Sequence, residues 1–78
     1  MNQPQERYST HFYIESEGEF LHNYDANART GGVNGYFGEF CDDSLKFEKW
    51  CDANYLLELM QATDKRNSRS CTYTIVER

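Results

Sequence analysis

Apolar and polar positions alternate from residue 8 to residue 16, and this period of two predicts a β-strand. One face of it would carry Tyr8, Thr10, Phe12, Ile14 and Ser16, and the other His11, Tyr13 and Glu15. Glu17-Gly18 is a turn signal, and residues 19–24 after it are short enough to form the second strand of a hairpin. Residues 1–7 are polar and contain a proline, so we expect a flexible lead-in before a single domain spanning residues 8–78.

Glycine and asparagine dominate residues 25–38, the next part of the chain. Four glycines fall within residues 31–38, which favours a loop or a bulged strand. Asn34-Gly35 could form a tight turn that leads into a third strand over residues 36–40, whose aromatic side chains suit a pleated surface. The pattern leaves the pairing of this third strand open.

Three consecutive residues that favour helix N-caps, Asp42-Asp43-Ser44, predict a helix beginning at Leu45. Its apolar positions fall into two stripes that are rotated relative to each other by more than a quarter turn. We interpret this shift as a helix broken near Asp52, and the alternative is one helix covered on two sides. The first stripe contains Phe47, Trp50 and Cys51, and the second contains Leu56, Leu59, Met60 and Thr63.

Residues 71–76 alternate and are rich in β-branched side chains, so a strand is predicted to follow the helix. Strands before and after a helix indicate an α+β fold: a small two-layer sandwich in the order β-β-(β)-α-β. Its antiparallel or mixed sheet would have three to four strands packed by one helix, either broken or continuous. Such a domain buries about 60 to 65 per cent of its unfolded surface, which its many aromatic side chains help to achieve.

Negative charge is concentrated in the middle of the chain. Between Glu15 and Glu58 lie ten of the thirteen carboxylates, opposed only by Arg29, Lys46 and Lys49, so this stretch carries a net charge of −7. Such a surface repels phosphate backbones and attracts basic grooves. The aromatic segments are flanked by acidic residues, so we expect no direct binding to nucleic acid; the basic residues gather at Lys65, Arg66, Arg69 and Arg78.

The three cysteines, Cys41, Cys51 and Cys71, are widely spaced and contain no Cys-x-x-Cys pair. We therefore expect reduced thiols that pack as small core hydrophobes. A metal site built from His11 or His22 with a cysteine is a weaker alternative, and we expect no metal, no cofactor and no enzyme activity. The absence of a long apolar run predicts a cytoplasmic protein that does not enter membranes.

Protein binding is the function that these features favour. Carboxylates would steer the chain to a basic partner, and exposed aromatic side chains would anchor the contact. An exposed strand edge at Tyr36-Phe37 could also pair with a second copy of the chain. The predicted partner-binding residues are Glu15, Glu17, Glu19, Asp25, Glu39, Asp42, Asp43, Tyr13, Tyr24, Tyr36 and Phe37.

The order of these features resembles that of small phage-encoded anti-CRISPR proteins: a hairpin, a passage rich in glycine and asparagine, then Asp42-Asp43-Ser44 before an aromatic helix with Phe47 and Trp50. The resemblance rests on size, charge and element order rather than on a diagnostic motif. It implies an inhibitor that occupies the DNA-binding or effector-docking surface of a bacterial defence complex, acting in part as a DNA mimic. The basic C-terminal quarter departs from what complete DNA mimicry would need.

Two further classes of function stay open. An immunity or antitoxin-type protein that neutralises a basic nuclease toxin would use the same electrostatics, because it also covers a cationic surface. A small metal-binding protein or enzyme is the third class, which a bound metal or a deep pocket containing a histidine and a cysteine would favour.

Overall fold

Four strands and one helix make up residues 10–78, the part of the chain that this computed structural model describes. The strands form one antiparallel sheet in the order β3-β2-β1-β4, and the helix packs against one face of it. The α+β class and the order β-β-β-α-β are confirmed. The third strand spans Val33–Gly38, so Asn34-Gly35 lies within it and is not the predicted turn before a strand at residues 36–40. The predicted lead-in at residues 1–7 and the start of the first predicted strand lie outside the described residues. The elements are β1 (Phe12–Ser16), β2 (Glu19–Ala26), β3 (Val33–Gly38), α1 (Trp50–Arg66) and β4 (Thr74–Glu77).

A two-residue turn joins β1 to β2, as the sequence predicts. Glu17 has φ 52° and Gly18 has φ 85°, and Ser16 pairs with Glu19 to close the hairpin. Positive φ at both central positions defines the type I′ turn, whose twist matches that of the strands it joins. Glycine supplies the second of these conformations without steric cost, whereas a glutamate at the first is strained by its Cβ.

The sheet divides beyond this hairpin, and residues 45–47 fill the gap. Next to the turn, β1 and β2 pair through Glu15 with Phe20 and Ser16 with Glu19. Farther along, the amide of Leu45 donates to the Leu21 carbonyl at 2.8 Å, and Phe47 exchanges two backbone hydrogen bonds with Phe12. The inserted segment satisfies strand backbone groups that the divergence would otherwise leave unpaired.

This insertion corrects the predicted start of the helix, which begins at Trp50 and not at Leu45. Residues 45–47 lie in extended pairing, because their backbone groups bond to β1 and β2. Ser44 is buried and its hydroxyl accepts a hydrogen bond from the Cys41 amide at 3.0 Å, so it closes a turn and does not cap the helix. Asp42 and Asp43 are exposed in that turn.

The helix is continuous from Trp50 to Arg66, so the predicted break near Asp52 is wrong. Its buried positions recur at the helical spacing and form a single stripe; they are Ala53, Leu56, Leu57, Met60, Thr63 and Asp64. Phe47 lies in the inserted segment before the helix, and Trp50 is 53% exposed. Trp50 and Cys51 open the helix but are exposed, so the first stripe is not a buried helix face. Only the second stripe lies on the buried face of the helix. Ile14 and Leu21 meet that face from the sheet.

Aromatic rings cover part of the opposite face of the sheet. Phe40 packs edge-on against Tyr13 and Phe20, at centroid distances of 5.1 and 5.0 Å. The guanidinium of Arg78 lies 4.3 Å from the centroid of the Phe40 ring and 5.2 Å from that of Phe20. These contacts hold the chain after β3 against the helix-free face, before it enters the gap in the sheet at Leu45.

Candidate protein-binding site

Three carboxylates meet at the hairpin end of the sheet, and we call this group, Glu17, Glu19 and Glu39, the acidic end. The type I′ turn brings Glu17 and Glu19 together. Glu39 arrives beside them because Gly38 pairs with Phe20, which follows Glu19 in the chain. All three side chains are exposed. Asp64 with Arg69 is the one ion pair among residues 10–78, so none of the three carboxylates is paired with a cation of that part of the chain.

The other predicted carboxylates lie elsewhere on the fold. Glu15 is half-buried near the acidic end, and its Oε1 accepts a hydrogen bond from the Thr74 hydroxyl at 3.1 Å. Asp25 lies at the far end of β2 and accepts a hydrogen bond from the Tyr36 hydroxyl. Six residues of strand separate Asp25 from Glu19, a distance of about 20 Å at 3.3 Å per residue. The predicted acidic residues are therefore distributed: one group lies at the hairpin, Asp42 and Asp43 lie in the turn after β3, and Asp25 lies at the far end of β2.

The structure divides the four predicted aromatic anchors. Tyr24 and Tyr36 are exposed, with 41% and 52% of their surfaces accessible. Tyr13 is only 4% exposed because it packs against Phe20 and Phe40, so its ring faces these side chains and not the solvent. Phe37 is half-buried and stacks on Tyr73, with ring centroids 5.8 Å apart and planes 16° apart. It belongs to the edge of the core and cannot offer its ring freely to a partner.

Three exposed aromatic side chains are not among the predicted partner-binding residues. Phe40 is 43% exposed and directly follows Glu39, so it lies beside the acidic end. Trp50 and Tyr55 are 53% and 67% exposed on the helix. Helical spacing could have found Tyr55, because it falls outside the single stripe that the helix buries. The exposure of Trp50 depends on where the helix begins, and the sequence pattern did not predict that position.

A cleft of ≈ 570 Å³ adjoins the acidic end. Glu17, Glu19 and Arg69 are among the residues that line it. The buried Asp64 also lines the cleft and binds two of its other lining residues. Its Oδ1 accepts from Arg69 Nε and Nη2 at 3.1 and 3.0 Å. Its Oδ2 accepts from the Tyr73 hydroxyl at 2.5 Å. Burial, reinforced by this bond to Asp64, raises the pKa of Tyr73 above its ordinary value.

Histidine and cysteine side chains do not converge on a metal site in the described part of the chain. Within residues 10–78, no three side chains of His, Cys, Asp or Glu are grouped as metal ligands would be. Cys41 Sγ lies 3.9 Å from His22 Nε2, which is also 2.7 Å from the Glu39 carbonyl oxygen. Contrary to expectation, Cys41, Cys51 and Cys71 are all exposed and free, so they are not core hydrophobes.

No protein-family model, curated protein or solved structure matches this chain. Over residues 10–78, no helix has the length and apolar character needed to cross a membrane. The function of the site is therefore inferred from its geometry and charge.

Proposed function

We propose that this protein is a non-enzymatic inhibitor that binds a basic, nucleic-acid-handling protein through its acidic end. The observation that carries the proposal is the convergence of Glu17, Glu19 and Glu39, all exposed and without a cationic partner among residues 10–78. In such a complex their carboxylates stand in for phosphates. Bacterial defence complexes, whose grooves hold nucleic acid with Lys and Arg side chains, are the partner class that we propose.

The electrostatics of the acidic end favour a cationic partner. Three like charges on one turn and its neighbouring strand repel one another. A partner that places Lys or Arg side chains among them removes this repulsion. The carboxylates also steer the approach of the partner, over the screening length of about 8 Å at physiological salt. They therefore raise the association rate more than they slow dissociation.

Rigidity and an adjacent ring add to the suitability of this surface. The hairpin turn and the pairing of β2 with β3 fix the backbone under all three carboxylates before any partner arrives. Less conformational entropy is then lost when the complex forms. Phe40 extends from the same end and is held by Tyr13 and Phe20. Its exposed part provides the aromatic contact that interface centres commonly contain.

A charge-matched comparison tests the proposal. The variant E17Q/E19Q/E39Q removes three negative charges from the acidic end, and the control variant E48Q/D52N/E58Q removes three from exposed positions on and before the helix. Each protein is used to capture partners from bacterial lysate at low salt, and captured proteins are identified by mass spectrometry. We expect the unchanged chain and the control to capture a basic nucleic-acid-binding protein that added duplex DNA displaces.

The expected complex has three measurable properties. The acidic-end variant fails to form it, rising ionic strength weakens it, and the loss on mutation appears mainly in the association rate. Tight binding that ignores salt, or equal binding by the two triple variants, contradicts the proposal. The identity of the captured protein separates two versions of this function: a defence complex supports an anti-CRISPR-like role, and a nuclease toxin supports an immunity protein.

A further inference from the structure

The outer edge of β3 lacks the features that usually protect a sheet edge. Within residues 10–78 this strand pairs only with β2, and its six residues, Val33–Gly38, carry no charge. The opposite edge strand, β4, ends at Glu77 and is followed by Arg78. Edge strands that must stay unpaired commonly carry charges, prolines or bulges on the open side. The open edge of β3 is therefore available for pairing with another strand.

Backbone direction along this edge follows from one hydrogen bond. The Val33 amide donates to the buried Thr63 hydroxyl at 2.8 Å, so it points away from β2 and toward the end of the helix. In an antiparallel sheet, successive residues alternate between pointing toward one neighbour and the other. Gly35 and Phe37 therefore direct their amides and carbonyls outward, whereas Asn34 and Tyr36 bond to β2.

We propose that this edge pairs with the same edge of a second copy, antiparallel about a twofold axis at Tyr36. Gly35 of each copy then lies opposite Phe37 of the other, and the two pairs exchange four backbone hydrogen bonds. The twofold axis places the two Tyr36 residues directly opposite each other, between the two hydrogen-bonded Gly35–Phe37 pairs. Thr63 already occupies the Val33 amide, so the new ladder ends there.

Charge along the edge favours a second copy as the occupant. Arg69 is paired with Asp64, but its side chain is 49% exposed and its Nη2 also donates to Asn34 Oδ1 at 3.1 Å, so a partly exposed cation lies near the start of β3. At the C-terminal end of β3, Gly38 is followed by the exposed Glu39. Antiparallel pairing about Tyr36 sets Asn34 opposite Gly38 of the second copy. Arg69 of each copy therefore lies beside Glu39 of the other, and the symmetry repeats this favourable contact.

The size of the contact sets its strength. Five residues from each copy, residues 34–38, form less than a standard interface, which buries about 1,200–2,000 Å² in total. The association is therefore reversible and depends on protein concentration. The proposed dimer does not rest on the proposed binding to a basic partner, because it needs only the β3 backbones of two copies of this chain.

Sedimentation and amide exchange test the pairing in solution. We expect the weight-average mass of the full chain to rise toward twice the monomer value as concentration increases. Exchange of the Gly35 and Phe37 amides slows over the same range, and the Asn34 and Tyr36 amides, already bonded to β2, change little. The substitution Tyr36→Lys sets two like charges opposite each other and returns the chain to monomer, whereas Tyr36→Phe leaves association intact. A monomeric mass at all concentrations overturns the proposal.

Disulfide trapping tests the register independently of any loss of stability. Cys41, Cys51 and Cys71 are exposed and free, so they are first replaced by serine. In that background Tyr36→Cys places two thiols on Cα atoms about 4.5 Å apart, within the range of about 4.4–6.8 Å that disulfides span. We expect this variant to form a covalent dimer on mild oxidation, and Asn34→Cys, which faces Gly38, to remain uncrosslinked. Equal crosslinking of both variants, or none by Tyr36→Cys, rules out this pairing.

Discussion

The hydroxyl of Tyr73 donates a hydrogen bond of 2.5 Å to Oδ2 of Asp64, which joins the last turns of the helix to the segment that enters β4. Asp64 is only 6% exposed, and Arg69 binds its other oxygen. The Asp64 carbonyl accepts the Arg69 amide as well, at 2.7 Å. Both oxygens of a buried carboxylate are thus satisfied by residues from the loop that follows the helix. The connection between α1 and β4 is held by this arrangement.

Removal of the Tyr73 hydroxyl should destabilise the protein. In Tyr73→Phe the buried Asp64 oxygen loses its donor, and hydrogen bonds to charged groups contribute about 1.5–3 kcal/mol. The chain offers a matched control, because the Tyr36 hydroxyl makes the same bond to Asp25 at an exposed site. We expect Tyr36→Phe to change the free energy of unfolding much less than Tyr73→Phe does. Urea denaturation of the three proteins measures both values, and equal losses would show that burial of Asp64 does not matter.

Stability should fall at alkaline pH through the same tyrosine. Burial and the Asp64 bond raise the pKa of Tyr73 in the folded chain, whereas in the unfolded chain it ionises near pH 10. Above that pH the unfolded state holds fewer protons than the folded state, so the free energy of unfolding decreases as pH rises. Below about pH 9 the contribution is fully present. Its slope is at most about 1.4 kcal/mol per pH unit, the limit for a single proton.

Comparison with Tyr73→Phe isolates this contribution. The variant has no proton to lose at position 73, so its stability should decline less steeply between pH 9 and pH 11. Urea unfolding at intervals across that range gives both curves, and near-ultraviolet absorbance reports phenolate formation directly. Parallel curves for the two proteins would show that Tyr73 ionises alike in the folded and unfolded chains.

Local patterns predicted the fold well where they agreed with the tertiary contacts. Alternation identified β1, the turn signal at Glu17-Gly18 identified the hairpin, and the mixture of elements gave the α+β class. Prediction failed at residues 45–47, where N-cap residues precede a helix-compatible sequence. Those residues bond to Leu21 and Phe12 instead, and no local signal reports that β1 and β2 diverge to admit them. Long-range backbone pairing prevailed over local helix preference.

The candidate site could be predicted only in part, for a related reason. Charge density along the chain indicated an acidic surface, but which carboxylates meet depends on the register of β3 against β2. That register brings Glu39 to Glu19 and leaves Asp25 at the other end of the strand. Burial of Tyr13 likewise depends on Phe40, which returns across the helix-free face after β3. Both outcomes are set by sheet pairing, which residue type alone does not encode.

Gly35 allows the close approach of the helix to β3. A Cβ at this position would lie 2.7 Å from Leu21 Cδ1 and 2.9 Å from both Met60 Sδ and the Phe37 ring. Leu21 and Met60 are almost fully buried, so they have little room to move. We expect Gly35→Ala to lower the free energy of unfolding by about 1–3 kcal/mol, the cost of overpacking a filled core.

Gly38→Ala is the control for that substitution, since both residues lie in β3. A Cβ at Gly38 would meet only the His22 ring, at 3.1 Å, and that half-buried side chain can rotate away. Thermal unfolding of both variants should therefore show the larger decrease in Tm for Gly35→Ala. If Gly38→Ala proves as harmful, loss of glycine from the strand, and not contact with Leu21 and Met60, explains the effect.

The beginning of the helix can be improved. Lys49 occupies the N-cap position with extended backbone angles, φ −124° and ψ 139°, and its side chain makes no capping hydrogen bond. Serine at this position can accept from an amide of the first turn, and it removes a positive charge from the positive end of the helix dipole. We expect Lys49→Ser to raise the free energy of unfolding by about 0.5–2 kcal/mol. Lys46→Ser makes the same change of charge at an exposed position outside the helix, where the lysine Nζ donates to the Asp42 carbonyl at 3.2 Å. It should leave stability within about 0.5 kcal/mol. Equal gains from the two substitutions would assign the effect to net charge, because capping operates only at position 49.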